Sequence, residues 1–191
     1  PPPVATPSIN HLLSVLLLFV GLVWLRRALS VAVFRRTTPP LRQGNLPPRV
    51  DGRISVIVPA KDEEKNIANC LTYLLAQDYP DFEIIVVSDR SIDGTAGIVR
   101  SFCAKDKRVR LLEITELPAG WTGKNHGMFR GAKEATGKWL CFTDADTTHK
   151  PWSLSAALSE AVSKNIDFLT LAPETTSVTF WEKTVQPLAV G

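Results

Sequence analysis

An α/β fold with a mostly parallel sheet is predicted from residue 54 onward. Short β-branched runs alternate one by one with segments of helical period, and polar residues collect just after those runs. Composition agrees: 191 residues, 45% apolar and 21% charged, suffice for one ordinary core preceded by an accessory segment, and they exclude a disordered chain.

The accessory segment comes first. LLSVLLLFVGLVWL (Leu12–Leu25) is followed at once by Arg26 and Arg27. This run is shorter than the roughly 17–25 residues that span a bilayer, although counting back to Ile9 reaches the lower limit. Extending it to Phe34 would bury both arginines at roughly 2.5–3.5 kcal/mol each. The span is therefore expected to end near Trp24, with the arginines snorkelling. A signal peptide would carry its charge before the apolar run, and no Lys or Arg precedes Arg26. Two readings stand: a single membrane anchor whose positive C-terminal flank keeps the rest of the chain cytoplasmic, or a helix packed on protein. Residues 1–36 form this anchor and its basic flank. Residues 37–53, with four prolines and two glycines, read as a linker.

Residues 54–191 are read as one domain. ISVIVPA (Ile54–Ala60) is a strand covered on both faces. In KDEEKNIANCLTYLLAQ, Ile67, Cys70, Leu71, Leu74 and Leu75 share one helical face; Asp62 is placed to cap, with Glu63 and Glu64 in the first turn. FEIIVV (Phe82–Val87) is a second strand. SDRSIDGT then leads into a helix with an Ile98, Val99 and Phe102 face, where Asp93 is read as an N-cap rather than a ligand. VRLLEI (Val109–Ile114) is a third strand and Gly123–Ala135 a helix. WLCFTD (Trp139–Asp144) is a fourth strand, Pro151–Lys164 a helix with Pro151 near its first turn, and DFLTLA (Asp167–Ala172) a fifth strand. Cys70, Cys103 and Cys141 fall inside these patterns without CxxC spacing, so they are expected to be buried free thiols of a reducing compartment, not zinc ligands.

Charge is divided unevenly. Residues 1–53 hold seven Arg against Asp51, a net +6; the remaining 15 basic and 18 acidic residues give −3. Basic character confined to the arm favours contact with anionic lipid and argues against a nucleic-acid-binding domain.

In a parallel sheet, ligands bind beyond the carboxyl ends of the strands. Lys61, Asp62 and Glu63 follow the first strand, Asp89, Arg90 and Asp93 the second, Asp144 and Asp146 the fourth. On an extended segment Asp144 and Asp146 would point the same way, and like charges so close repel unless something positive sits beside them. Mg2+ or Mn2+ resolves the conflict, because these ions take oxygen ligands, often one or two protein carboxylates, and complete their shell with water and substrate phosphates.

SVIVPAKDEE, VVSDRSIDGT and TDAD, with GWTGKNHG (Gly120–Gly127) between the second and third of these and FWEKTVQP (Phe180–Pro187) after, resemble the ordered motifs of inverting family-2 glycosyltransferases with the Rossmann-like GT-A fold. Hopene-associated and carotenoid-type membrane members are the nearest. The resemblance implies a metal-dependent, inverting transfer from a nucleotide-sugar donor, a UDP-sugar, to a lipid or other membrane-associated acceptor. By the same resemblance, Pro59 and Ala60 lie in the donor site, Glu63 and Asp89 contact uracil or ribose, Asp144 the ribose or diphosphate, and Asp146 the metal, with Asp144 as a second ligand. Lys124 faces the diphosphate, and independently of the family it opens a helix whose free N–H groups favour anions. The paired aspartates usual in the second motif begin here with Ser88, which leaves Asp89 alone, and the asparagine often preceding the first-motif glutamate is Asp62.

The general base is expected beyond Gly191, in an acceptor-binding half, so the chain reads as a fragment. Trp121 either flanks the donor or packs. His126 and His149 read as surface or supporting groups, and His11 lies at the membrane boundary. Two competing functions are weighed. A sugar nucleotidyltransferase would show a glycine-rich basic loop after the first strand, where KDEE is acidic. A non-catalytic nucleotide-binding scaffold is favoured by Ser88 and the missing base.

Overall fold

The structure, a computed structural model, describes residues 9–37, 40, 41, 43 and 52–171. These fall into two units, each with its own packing, one containing the N-terminal helix and the other Leu41–Leu171. The linker expected over 37–53, the end of the fifth predicted strand at Ala172 and FWEKTVQP lie wholly or largely outside the described residues.

The first unit is α1 (Ile9–Thr37), 29 residues with exposed apolar side chains along its length. It does not stop near Trp24, because ALSVAV after the arginine pair contains no glycine or proline to break it. Ile9–Val33 has a mean hydropathy of 2.0, long and apolar enough to cross a membrane.

The second unit is a four-stranded sheet: β1 (Ile54–Ala60), β2 (Phe82–Asp89), β3 (Val109–Ile114) and β4 (Trp139–Phe142), in the order β3-β2-β1-β4 with every pair parallel. β1 is central, pairing Ile54–Ala60 with Phe82–Ser88 on one side and Ile54–Ile57 with Trp139–Phe142 on the other. Residues of β1 and β2 are buried on both faces because helices cover both. On one face Val56, Val58, Ile84 and Val86 pack with Ile67, Leu71 and Leu74 of α2 (Ile67–Leu75), Val99 of α3 (Thr95–Lys105) and Leu154 and Leu158 of α5 (Ser153–Ser163). On the other, Ile57, Ile85, Val87 and Ile114 meet Ala132 of α4 (Gly123–Glu134). Among the described residues no helix covers β4 on that second face, and its Leu140 and Phe142 are exposed.

α4 approaches the sheet through Gly123, Gly127 and Gly131, spaced one helical turn apart. A methyl group at Gly131 would come within 2.5 Å of Ile57 Cγ2, and one at Gly127 within 3.3 Å of Pro59 Cβ. At its far end, the loop after α4 is tied down by buried Glu83, which accepts from Ser55 Oγ (2.7 Å), Thr136 N (2.8 Å), Thr136 Oγ1 (2.7 Å) and Arg110 Nη1 (3.2 Å). Burial alone would raise the Glu83 carboxyl, but these donors overcome it and bring it from 4.5 down to about 2.

Four sequence expectations need correction. Residues 167–171 form no strand: Phe168 is 84% exposed, and the segment pairs with no described strand. Asp62 does not cap α2, which begins five residues later at Ile67, so Glu63 and Glu64 lie in the preceding loop rather than its first turn. β4 ends at Phe142, and the chain turns at Ala145 and Asp146, so the shared direction inferred from strand period does not apply to Asp144 and Asp146. Of the three cysteines, all free, only Cys70 is buried; Cys103 and Cys141 are half-buried.

Gly131→Ala is expected to lower stability by about 1–3 kcal/mol through overpacking against Ile57, measured by denaturant unfolding. Glu83→Gln is expected to cost about 1–3 kcal/mol near neutral pH. Because the folded-state carboxyl lies at about 2 against 4.5 when free, its contribution is complete above 4.5 and lost as pH falls through about 2. The gap between wild type and variant should narrow across that window in acid titrations; a gap independent of pH would refute the assignment.

Candidate functional site

Because all four strands run the same way, the loops after β1, β2 and β4 emerge on one rim, together with the start of α4. They enclose an open cavity of about 460 Å³ lined by Pro59, Ala60, Lys61, Glu63, Asp89, Arg90, Gly123, Lys124, Asp144, Ala145 and Asp146. Each site residue named from the sequence borders it: Pro59, Ala60, Glu63, Asp89, Lys124, Asp144 and Asp146. Trp121 and His126 are not on the lining. Trp121 packs against Phe129 (5.0 Å between ring centroids) and edge-on to His126 (5.4 Å). His126 is buried rather than at the surface, and its Nδ1 has no hydrogen-bond partner among the described residues.

The loops after β1 and β2 hold one another. Asp62 N donates to Ser91 Oγ (3.1 Å) while Asp62 Oδ1 accepts from Ile92 N (2.8 Å). Glu63 N donates to Thr95 Oγ1 (2.8 Å), Glu64 N to Asp93 Oδ2 (3.0 Å), and Gly94 N to Glu64 Oε2 (2.8 Å). Asp93 Oδ1 also accepts from Thr95 N (3.0 Å), so Asp93 both serves the start of α3 and bridges the loops. Ser88 is buried and its hydroxyl contacts Ser91 Oγ (3.1 Å).

Four charges of the rim form two ion pairs. Asp89, only 3% exposed, is gripped by Arg90 through Nε–Oδ1 (2.8 Å) and Nη2–Oδ2 (3.0 Å). The Arg90 hydrogen bonds hold the Asp89 carboxyl below its ordinary value against the opposing effect of burial, with Arg90, Lys61 and His126 charges adding to the lowering. Arg90 adopts the left-handed region, φ 53°, which turns its side chain back onto its own neighbour. Only glycine fits opposite, because a side chain at Gly123 would collide with Asp89 Oδ2. Lys124 Nζ meets Asp144 Oδ1 at 2.6 Å, and this pair is open to solvent, 60% and 52% exposed. Lys61, Arg90 and Lys124 stand among the carboxylates.

The acidic turn is fastened from beneath. The Asp144 carbonyl accepts from Thr147 Oγ1 (2.7 Å), Thr147 N (3.3 Å) and Cys70 Sγ (3.7 Å). Burial, with smaller contributions from the Asp146 and Glu63 charges, pushes the Cys70 thiol up to about 12, which keeps it a donor. His149 is half-buried, and burial holds its imidazole below the usual value. Gln77 clamps the segment that follows, donating to Lys150 O (2.8 Å) and accepting from Leu154 N (3.0 Å) in the first turn of α5. Sequence reasoning missed Arg90 as the partner of Asp89, the Asp93 bridge and the Gln77 clamp. The adjacency of Asp89 and Arg90 was the one visible signal.

An open parallel sheet with a polar crevice where strand order reverses defines a GT-A-like α/β protein. Within that class the chain belongs to glycosyl transferase family 2, whose profile matches residues 55–187. It is similar to 4,4'-diaponeurosporenoate glycosyltransferase of Staphylococcus aureus, 34% identical over 95 residues, which are 50% of this chain and 24% of that protein. The match thus spans about a quarter of the curated relatives' length. Among solved structures it resembles S. aureus TarS in complex with UDP, with 31% identity, a TM-score of 0.51 and coverage of 59% of this chain and 33% of that one. It also resembles the mannosyltransferase PcManGT of Pyrobaculum calidifontis in complex with GDP-Man and Mn2+, with 25% identity, a TM-score of 0.59 and coverage of 76% and 42%.

Asp93→Ala strips the acceptor from Glu64 N and Thr95 N. We expect lower stability and faster amide exchange at both residues; exchange unchanged at Glu64 would contradict the bridge.

Proposed function

We propose that this protein transfers a sugar, with inversion, from a nucleotide-activated donor, a UDP-sugar, to a lipid or other membrane-associated acceptor, and that it uses Mg2+ or Mn2+. The observation that carries this reading is the convergence of Glu63, Asp89, Lys124, Asp144 and Asp146 on one cavity at the carboxyl rim of the sheet. UDP in TarS and the carotenoid-type name of the Staphylococcus relative support the donor and acceptor classes. The apolar α1 supports a membrane anchor, with the sheet unit on the cytoplasmic side. The proposed organisation is an anchor and basic flank (residues 1–36), a linker (37–53) and a donor-binding domain (54–191).

Among the described residues no three His, Cys, Asp or Glu gather as a metal cage. The donor set fits a hard cation all the same, because such ions commonly take one or two carboxylates and complete their shell with water and phosphate oxygens. Asp146 and Asp144 are the proposed ligands. When bound, the cation would neutralise charge on the departing nucleoside diphosphate.

The chain's own residues account for the rest. Lys124 sits at the start of α4, so its ammonium and the free N–H groups of that turn favour the same anion. To reach the diphosphate, Lys124 gives up Asp144, an exposed pair worth no more than about 1 kcal/mol. Glu63 and the Asp89–Arg90 pair stand beyond the ends of β1 and β2, where Glu63 is proposed to accept from ribose hydroxyls and Asp89 to orient the base or ribose through its polar surroundings. In the reaction the acceptor oxygen bonds to the anomeric carbon as the bond to the diphosphate oxygen breaks, and the hydroxyl proton passes to a base. No residue of this cavity is assigned as that base.

Calorimetry with uridine diphosphate, with and without Mn2+, tests the donor site. Wild type is expected to bind in the presence of Mn2+, and Asp146→Ala to lose about tenfold of the metal-dependent affinity while melting at the wild-type temperature. Absence of uptake by the wild type under both conditions overturns the reading.

A further inference from the structure

The turn carrying Asp144 and Asp146 lies beyond β4, and the last bond joining it to the ladder runs from Thr143 N to Ile57 O (3.1 Å). Ala145 between them is buried in the core, but the two carboxylate side chains are exposed, so their separation is only as well defined as the backbone that carries them. Three polar groups outside the cavity lining meet beneath this turn. Thr143 Oγ1 lies 2.8 Å from Thr147 Oγ1 and 3.0 Å from His149 Nε2, and Thr147 Oγ1 lies 3.2 Å from the same nitrogen.

Proton counting orders this cluster. Thr147 Oγ1 has one proton and gives it to the Asp144 carbonyl at 2.7 Å, so towards Thr143 and His149 it accepts. The 2.8 Å contact between the hydroxyls must then use the single Thr143 proton. That leaves the Thr143 oxygen to accept from the imidazole. Every contact is satisfied only when His149 Nε2 carries the ring proton and donates to Thr143, with Thr147 as the longer second acceptor. Donation runs one way, from His149 to Thr143 to Thr147 to the Asp144 carbonyl. A Thr147 hydroxyl free of this arrangement would have other rotamers and other acceptors.

We infer that His149 is a positioning residue: acting through Thr143 and Thr147, it fixes the backbone of the Asp144–Asp146 turn and so the spacing of the two carboxylates proposed to hold the cation. The functional consequence rests on the donor-binding reading above, whereas the fixing of the turn does not. A merely space-filling His149 predicts something different, because removing it would weaken the fold or leave nothing changed, without singling out the metal-dependent part of nucleotide binding.

The test uses His149→Ala and His149→Gln, the amide nitrogen of Gln standing in for Nε2–H. In the ligand-free chain, hydrogen exchange at the Thr147 amide is expected to rise about tenfold in His149→Ala and to return towards wild type in His149→Gln. In calorimetry with uridine diphosphate, His149→Ala should diminish the affinity gained on adding Mn2+ by about tenfold while leaving metal-free affinity within about twofold, with rescue by Gln. Unchanged exchange at Thr147, or equal losses with and without Mn2+, overturns the inference. A wild-type chain that takes up no uridine diphosphate in either condition refutes the donor reading, and the exchange measurement then decides the positioning role alone.

Discussion

The candidate site depends on one topological constraint: β1 has parallel neighbours on both sides, β2 reached through a helix on one face and β4 reached after a helix on the other. The chain leaving β1 towards α2 on one face and the chain entering α4 on the other therefore diverge above the end of β1, and a crevice opens there. Parallel register does the rest. Ala60 lies beside Ser88, so the loops that follow start level with one another, near enough for Asp62, Glu64, Asp93 and Thr95 to bond across. From the strands themselves the cavity takes only the carboxyl-end residues Pro59, Ala60 and Asp89, and it leaves the largely apolar stretches before them to specify packing.

The second constraint is the distance between α4 and the sheet. Three glycines on one helical face let the backbone approach β1 and β2 more closely than any side chain would allow, and this lowers Gly123 and Lys124 onto the rim beside Asp89. Glu83 fixes the other end of the connection through Ser55 and Thr136, so α4 is held at both ends by contacts that are not its own helical hydrogen bonds. Packing and chemistry meet at Gly123, where the space denied to a Cβ is occupied by a carboxylate of the site.

Much of this was legible in the sequence because strand and helix periods are local. β1 and β3 have the predicted bounds, and Ile67, Cys70, Leu71 and Leu74 form the buried face of α2 as their spacing implies. Several failures share a cause, a partner distant in the chain. DFLTLA has strand character, but its residues through Leu171 find no neighbouring strand among the described residues. Asp62 looked like a cap because it precedes an apolar period, yet its carboxylate is taken by Ile92, thirty residues on. Glu83 gave no signal within FEIIVV, since only folding brings Ser55, Arg110 and Thr136 around it. The site residues were legible as a group for the opposite reason: parallel strands send whatever follows them to one rim, so position in the sequence predicts proximity without any knowledge of contacts.

The two ion pairs of the rim differ in a way that orders their roles. Asp89–Arg90 is bidentate and its carboxylate is buried, so separating it would leave a charge with little access to water. Lys124–Asp144 is exposed on both sides, and breaking it costs little. One pair is fixed architecture and the other is exchangeable. With Glu63, Asp89, Asp144 and Asp146 against Lys61, Arg90 and Lys124, the lining carries one more negative than positive charge, so an anion entering alone meets no net attraction. On the proposed reading, Asp144 and Asp146 would hold a divalent ion whose charge would supply what the lining lacks, and Lys124 would be free to turn from Asp144 to the diphosphate. The acidic turn would then act as both ligand and release, which is why the precision of its backbone, and of the small hydroxyl and imidazole cluster beneath it, bears on binding more than its exposed position suggests.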